Sequence, residues 1–168
     1  MLHHTASERI FAFFQKTNRM KFFSLLFLGC IFLAFSCNKD AVCGEDLVSI
    51  EQYITDNNLT VQEGAEGLLY IIEDAGAAAR PSATASVTVN YRGVTTDDVV
   101  FDETNGTPAS FRLAGLIRGW QLGIPLVGEG GRVKLFIPSE LGYGNRLVGS
   151  ICPNSDLIFD IELVSFSE

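Results

Sequence analysis

The sequence predicts an α+β domain in which an antiparallel β-sheet wraps around one short amphipathic helix. Three observations carry this reading. Val87, Val89 and Tyr91 alternate with Ser86, Thr88 and Asn90, the period-two pattern of a half-buried strand. Arg132–Ile137 and Leu157–Phe166 read the same way. The first puts Val133, Leu135 and Ile137 on one face. The second puts Phe159, Ile161 and Leu163 inward and Asp160 and Glu162 outward. Between Tyr91 and Arg132, Leu116–Ile124 has helical spacing, with Leu116, Ile117, Trp120 and Ile124 on one face and Arg118 and Gln121 on the other.

The elements follow in chain order. Met20-Lys21 opens a short basic region, and Phe22–Phe35 is an almost unbroken apolar run. A membrane span needs ~20 such residues, so the run suits the core of a secretory signal. Leu33-Ala34-Phe35-Ser36-Cys37 resembles a bacterial lipobox, in which the cysteine is lipidated and becomes the mature N-terminus. Residues 1–37 are therefore read as a signal peptide with a lipobox and Cys37 as the lipidation site. Ala34 stands where a leucine is usual. Phe27-Leu28-Gly29-Cys30 is a rival with a shorter apolar core, and an uncleaved anchor helix or a soluble secretory product are the other readings. Met20 offers a second start, so residues 1–19 read as a misassigned beginning. The chain's two histidines, His3 and His4, lie there.

Removing residues 1–37 takes four basic residues and one acid, leaving 8 Lys or Arg against 19 Asp or Glu, a net charge of −11. That excludes the basic footprint of a nucleic-acid binder. Of the four cysteines, Cys43 and Cys152 remain. An exported protein can keep a disulfide, but sequence does not give the distance between them, so paired and free states both stay open. No His/Cys spacing suggests zinc, and no cofactor is called for.

Residues 38–66 read as a polar tether followed by a short helix over Ser49–Asn58. Ser49 is placed to cap it, with Gln52 three residues on and Ile50, Tyr53 and Ile54 on one face. The main domain is expected over 67–168. Gly67–Glu73 is a strand by its β-branched and aromatic content. The Pro-broken, small-residue stretch that follows it is a loop. Val99–Asp102 is a short strand and Thr104-Asn105-Gly106 a turn. Gly123 and Pro125 limit the helix, Gly128–Gly131 is a turn, and Pro138–Asp156 is a long irregular segment.

Several chemistries fail on residue type. The mature chain has no histidine, so no Ser-His-Asp triad can form. It has no Gly-x-Ser-x-Gly elbow, no dinucleotide fingerprint and no phosphate loop. What remains is a reaction that needs no nucleophile.

Taken singly, Trp120 and Phe159 are ordinary core residues, Tyr143 a turn brace and Asp102 a turn cap. Their joint order is the signal. VTVNYRG, FDET, FRLAGLIRGW, IPSELGYG and LIFDIELVSF together resemble the FKBP-type peptidyl-prolyl cis-trans isomerases from about residue 67 to 168. The resemblance implies an FKBP-like fold with Trp120 as the floor under a proline ring and Tyr91, Phe101, Phe111 and Phe159 as walls. It implies that Leu116 and Ile117 open the helix beside the site and that the Ile117 N–H binds a substrate carbonyl. Tyr143 would bond a second carbonyl, Asp102 would polarise the rim beside Tyr91, and Ile151 would cap the pocket. Implied partners are proline-containing polypeptides, macrolide-type inhibitors and, through the lipid, a membrane. The implied location is exported, at an outer membrane facing the periplasm or the cell surface. The chain departs from the family at Ile151-Cys152-Pro153-Asn154, where Ile-Pro-Pro-Asn is usual, in a shorter loop before it, and at Ala114-Gly115. An FKBP-like module that binds proline segments without catalysis is the alternative.

Overall fold

Alternation alone would leave one face of the sheet to solvent, yet a helix covers part of that face as well. A computed structural model describes Cys43 and residues 47–168; the stretch read as a signal peptide with a lipobox, Cys37 included, lies outside the described residues. Seven strands form one antiparallel sheet: β1 (Gln62–Glu63), β2 (Leu69–Asp74), β3 (Ser86–Thr95), β4 (Val100–Glu103), β5 (Ala109–Arg112), β6 (Arg132–Ile137) and β7 (Leu157–Ser167). Their order is β1-β2-β6-β7-β3-β4, with β5 also on β3. The long strands β3 and β7 pair along their whole length, from Ser86 opposite Ser167 to Thr95 opposite Leu157. On its other side β3 meets β4 at Arg92–Val94 and β5 at Ser86–Val89. The chain breaks between β4 and β5 at Asn105 (φ 48°) and Gly106 (φ 83°), a turn of left-handed residues that Asn and Gly tolerate best.

One face carries the larger core, built from Val87, Val89, Val133, Leu135, Ile137, Phe159, Ile161 and Leu163. The helix α2 (Arg118–Gly123) lies on it. Close approach requires two glycines one helical turn apart. A Cβ on Gly119 would stand 2.6 Å from Ile137, and one on Gly123 would collide with Leu135. The helix is shorter than the expected Leu116–Ile124. Leu116 (φ −94°, ψ 174°) and Ile117 (φ −59°, ψ 151°) are extended, and beyond Gly123 the chain tightens into a 3₁₀ turn at Ile124–Leu126. Pro125 has no N–H with which to extend the helical ladder.

The opposite face was not expected to be buried. There Ile50, Val94, Phe136 and Ile158 form a second cluster, covered by helix α1 (Ile50–Asp56). Ser49 caps α1 by accepting the Gln52 N–H at 3.3 Å. Asp156 docks it, with one oxygen taking the Ile50 N–H at 3.2 Å and the other the Ser139 N–H at 3.0 Å. Burial nevertheless pushes the Asp156 carboxyl above its usual range, against those two bonds. Residues 62–63, read from sequence as part of the tether region, pair with β2.

The segment between β6 and β7 is irregular, as expected, apart from a 3₁₀ turn at Ser139–Leu141 and an isolated bridge between Val148 and Ile151. A disulfide joins Cys43 to Cys152, with Cα atoms 5.5 Å apart, inside the range such a bond requires. The polar stretch read as a tether is thus fixed at Cys43.

Candidate active site

The site grows out of one row of the sheet. Leu135, Phe159, Gly93 and Asp102 stand opposite one another across β6, β7, β3 and β4. Gly93 is the gap in that row. A Cβ there would lie 2.6 Å from the Phe101 ring and 2.7 Å from the Phe159 ring, so only glycine lets the two rings meet edge to face at 5.4 Å. Neighbouring strand residues normally point to opposite faces. The pairing of β3 with β4 slips between Gly93 and Val94, and this bulge turns both Phe101 and Asp102 toward the same cavity.

Trp120 lies at the bottom, 4 % exposed, held by α2 against the sheet. Tyr91, Phe159 and Phe111 meet it edge-on at centroid distances of 5.1, 5.2 and 6.0 Å. Edge-to-face packing sets the positive rim of one ring against the negative face of another, and it leaves space that stacked rings would fill. The result is a cavity of about 320 Å³, at the lower end of small-ligand sites. The structure brings all ten residues singled out from the sequence to this one cavity: Tyr91, Phe101, Asp102, Phe111, Leu116, Ile117, Trp120, Tyr143, Ile151 and Phe159. Val148, Gly149 and Ser150 complete the lining. They end the loop Asn-Arg-Leu-Val-Gly-Ser, which the family resemblance sets over the pocket without marking these three as site residues. Gly149, at φ 57°, reverses the chain between Val148 and Ile151 and so sets them over the cavity.

Few polar groups face this space. The Tyr91 hydroxyl donates to Asp102 at 2.6 Å. Burial, and then that hydrogen bond and charge, hold the Tyr91 phenol above its usual range. Burial and the charge of Asp102 raise Tyr143 as well. Both phenols therefore stay protonated donors at neutral pH. The Trp120 Nε1–H is buried without a partner among the described residues. The Ile117 N–H also has no acceptor among the described residues, whereas the adjacent Leu116 N–H is taken by the Leu113 carbonyl at 3.1 Å. An apolar bowl with unspent donors at its edge can hold a compact apolar ring and orient a carbonyl next to it. Among the described residues no group of His, Cys, Asp and Glu is arranged to hold a metal.

The sequence model of the family described as FKBP-type peptidyl-prolyl cis-trans isomerase matches residues 77–164. The chain belongs to this family. Its FKBP region is 44% identical over 106 residues to the FKBP-type peptidyl-prolyl cis-trans isomerase FkpA of Escherichia coli, covering 62% of this chain and 39% of that protein. It is 44% identical over 102 residues to the outer membrane protein MIP of Legionella longbeachae, covering 59% of this chain and 44% of that protein. The chain thus spans less than half the length of these two relatives. A crystal structure of a peptidyl-prolyl cis-trans isomerase from Pseudomonas syringae pv. tomato superposes with a TM-score of 0.64 at 31% identity, over 70% of this chain and 90% of that one. The α+β FKBP fold expected from sequence is the fold found.

Proposed function

We propose that the protein is a peptidyl-prolyl cis-trans isomerase that assists the folding of exported proteins. The observation that carries this is the ring of aromatic edges around Trp120, with the Ile117 N–H and the Tyr143 hydroxyl left as donors beside it, in a chain of the FKBP family. The barrier to be lowered is amide resonance, ~18–20 kcal/mol. A twisted Xaa-Pro amide has lost its conjugation and is less dipolar than the planar form. An apolar bowl therefore disfavours the planar ground state more than the twisted transition state, which is the condition for catalysis. In this reading Trp120 seats the proline ring and Tyr91, Phe101, Phe111 and Phe159 enclose it. Leu116 flanks the Ile117 N–H, which fixes the carbonyl before proline, while Tyr143 takes a second carbonyl. Asp102 orients the Tyr91 hydroxyl and sets a negative charge at the rim, and Ile151 closes the bowl from above. No proton is transferred at any step.

The same bowl suits macrolide-type inhibitors that present a proline-like ring. Export follows from the apolar run ending at Cys37, and the Cys43–Cys152 bond fits an oxidising compartment. Lipid attachment at Cys37 would hold the domain at an outer membrane, facing the periplasm or the cell surface. The relative named an outer membrane protein supports that location. Among the described residues no helix is long and apolar enough to cross a membrane. Cys37→Ala should abolish incorporation of labelled fatty acid, and a variant that is still labelled excludes this anchor.

A second reading, a non-catalytic module for proline segments, draws on the disulfide at Cys152. It ties down the loop that roofs the cavity. A protease-coupled assay on short Xaa-Pro peptides separates the two. Acceleration of isomerisation supports the enzyme; binding without acceleration supports the module.

A further inference from the structure

We infer that Gln121 is a positioning residue for the peptide group that offers the Ile117 N–H to substrate, an inference that rests on the isomerase reading of the cavity. Gln121 occupies the polar side of α2, where a solvated side chain is the ordinary expectation. Instead its Nε2 donates to the Leu116 carbonyl at 2.8 Å and, more weakly, to the Ala114 carbonyl at 3.4 Å. The other end of the amide settles its orientation. Oε1 accepts from Arg118 Nη1 at 3.4 Å, and the Arg118 guanidinium is itself held by both carboxylate oxygens of Glu66. A guanidinium has donors only, so it draws the amide oxygen toward itself and leaves the nitrogen to the two carbonyls.

The Leu116 carbonyl and the Ile117 N–H are two ends of one peptide group. That group is trans, since the described residues contain no cis peptide, and in a trans peptide the C=O and N–H point in opposite directions. Fixing the carbonyl against Gln121 therefore fixes the N–H on the far side. Leu116 and Ile117 both line the cavity. Neither has helical dihedrals, so no regular ladder holds this peptide plane, and its N–H makes no bond among the described residues. The Gln121 side chain supplies the restraint that secondary structure omits. A bond accepted by the carbonyl also polarises the N–H at the other end of the amide. A donor fixed before substrate arrives spends no reorganisation during the reaction.

Two variants test this. Gln121→Met keeps the length of the side chain and removes its donor. Gln121→Glu keeps the shape and the Arg118 contact but, when ionised, presents acceptors only. Each should lower kcat/KM on an Xaa-Pro peptide about three- to tenfold, the range for one neutral hydrogen bond, with a thermal midpoint close to that of the wild type. In NMR spectra the peptide-induced shift of the Ile117 amide proton should shrink in both variants while that of the Trp120 indole proton persists. Lowering the pH toward ~4.3, where a glutamic acid regains its proton, should restore part of the activity of Gln121→Glu and none to Gln121→Met. A folded Gln121→Met protein with wild-type kcat/KM and an unchanged Ile117 shift overturns the inference and leaves the isomerase reading intact. A wild type that binds the peptide without accelerating it ends the enzyme reading. The Ile117 shift then decides the inference, since shrinkage in the variants supports it and no change overturns it. A wild type that neither binds nor accelerates overturns both.

Discussion

The two faces of the sheet both bury aromatic and aliphatic side chains, yet the cavity walled by aromatic rings stands on the α2 face. On the α1 face, Tyr53 lies across Phe136 at 6.3 Å, and Ile50 and Ile158 fill the space beside them. On the α2 face, Gly119 and Gly123 let the helix sink onto Ile137 and Leu135, which holds Trp120 low. Gly93 then lets the rings of Phe101 and Phe159 stand together at its edge. Burial of apolar side chains does not by itself open a bowl. Missing side chains do: glycines at points of close approach turn a core layer into a bowl.

The most forceful way to break this comparison is to truncate one phenylalanine on each face. Phe136→Ala and Phe159→Ala should each cost about 3–5 kcal/mol in denaturant unfolding. Under strongly folding conditions, only Phe159→Ala should lose kcat/KM, by about tenfold or more, because Phe136 is buried in the cluster on the opposite face and does not line the cavity. Equal losses of activity would mean that the cavity depends on overall rigidity rather than on its walls.

The disulfide links the two regions, since Cys43 precedes α1 and Cys152 follows the cavity residue Ile151. Cys43→Ser should lower stability by about 2–4 kcal/mol. Hydrogen exchange should quicken at the Val148 and Ile151 amides and stay unchanged in β6. Uniform quickening would show that the bond holds the whole fold rather than the loop.

Asp102→Leu sharpens the comparison further, because it alters the rim without emptying a core. A fall in kcat/KM of about tenfold, with little change in thermal midpoint, is expected. A folded variant with full activity would remove the rim role.

The smallest expected effect is none. Residues 38–168 contain no histidine, so kcat/KM should be flat between about pH 6 and 8. The Tyr91 phenol is raised above its unfolded value of 10.0. Its contribution to stability is therefore fully present below that value and is lost only as pH climbs through the folded pKa. A bell-shaped profile near neutrality would point to acid–base chemistry that this cavity does not provide.

Much of the α2 face was legible in the sequence, because Val87, Val89 and Tyr91 alternate cleanly with polar residues. The α1 face was not. Phe136 and Ile158 sit inside the continuous apolar runs Leu135-Phe136-Ile137 and Leu157-Ile158-Phe159, where alternation gives no phase and burial on both sides cannot be told from burial on one. The strand that carries Phe111 was missed because Ala-Ser-Phe-Arg is short and lacks β-branched residues. All ten candidate residues meet at one cavity because family order located them. Gln121 reads from the sequence only as part of a polar helix face, because its Nε2 partners are backbone carbonyls, which leave no trace in side-chain pattern. The cysteine pairing stayed open because 109 positions separate the two thiols.

That bond also closes a covalent ring. Every residue from Cys43 to Cys152 lies inside the loop it forms, and only the stretch from Pro153 through β7 leaves it toward the C-terminus. Exposed loop tips are the usual sites of proteolytic cleavage. A single cut anywhere in the ring, for instance between β2 and β3, opens the circle without releasing a fragment. The nicked chain keeps its full mass until a reductant separates the pieces. For a domain that meets a protease, one such cut need not be the end of the molecule.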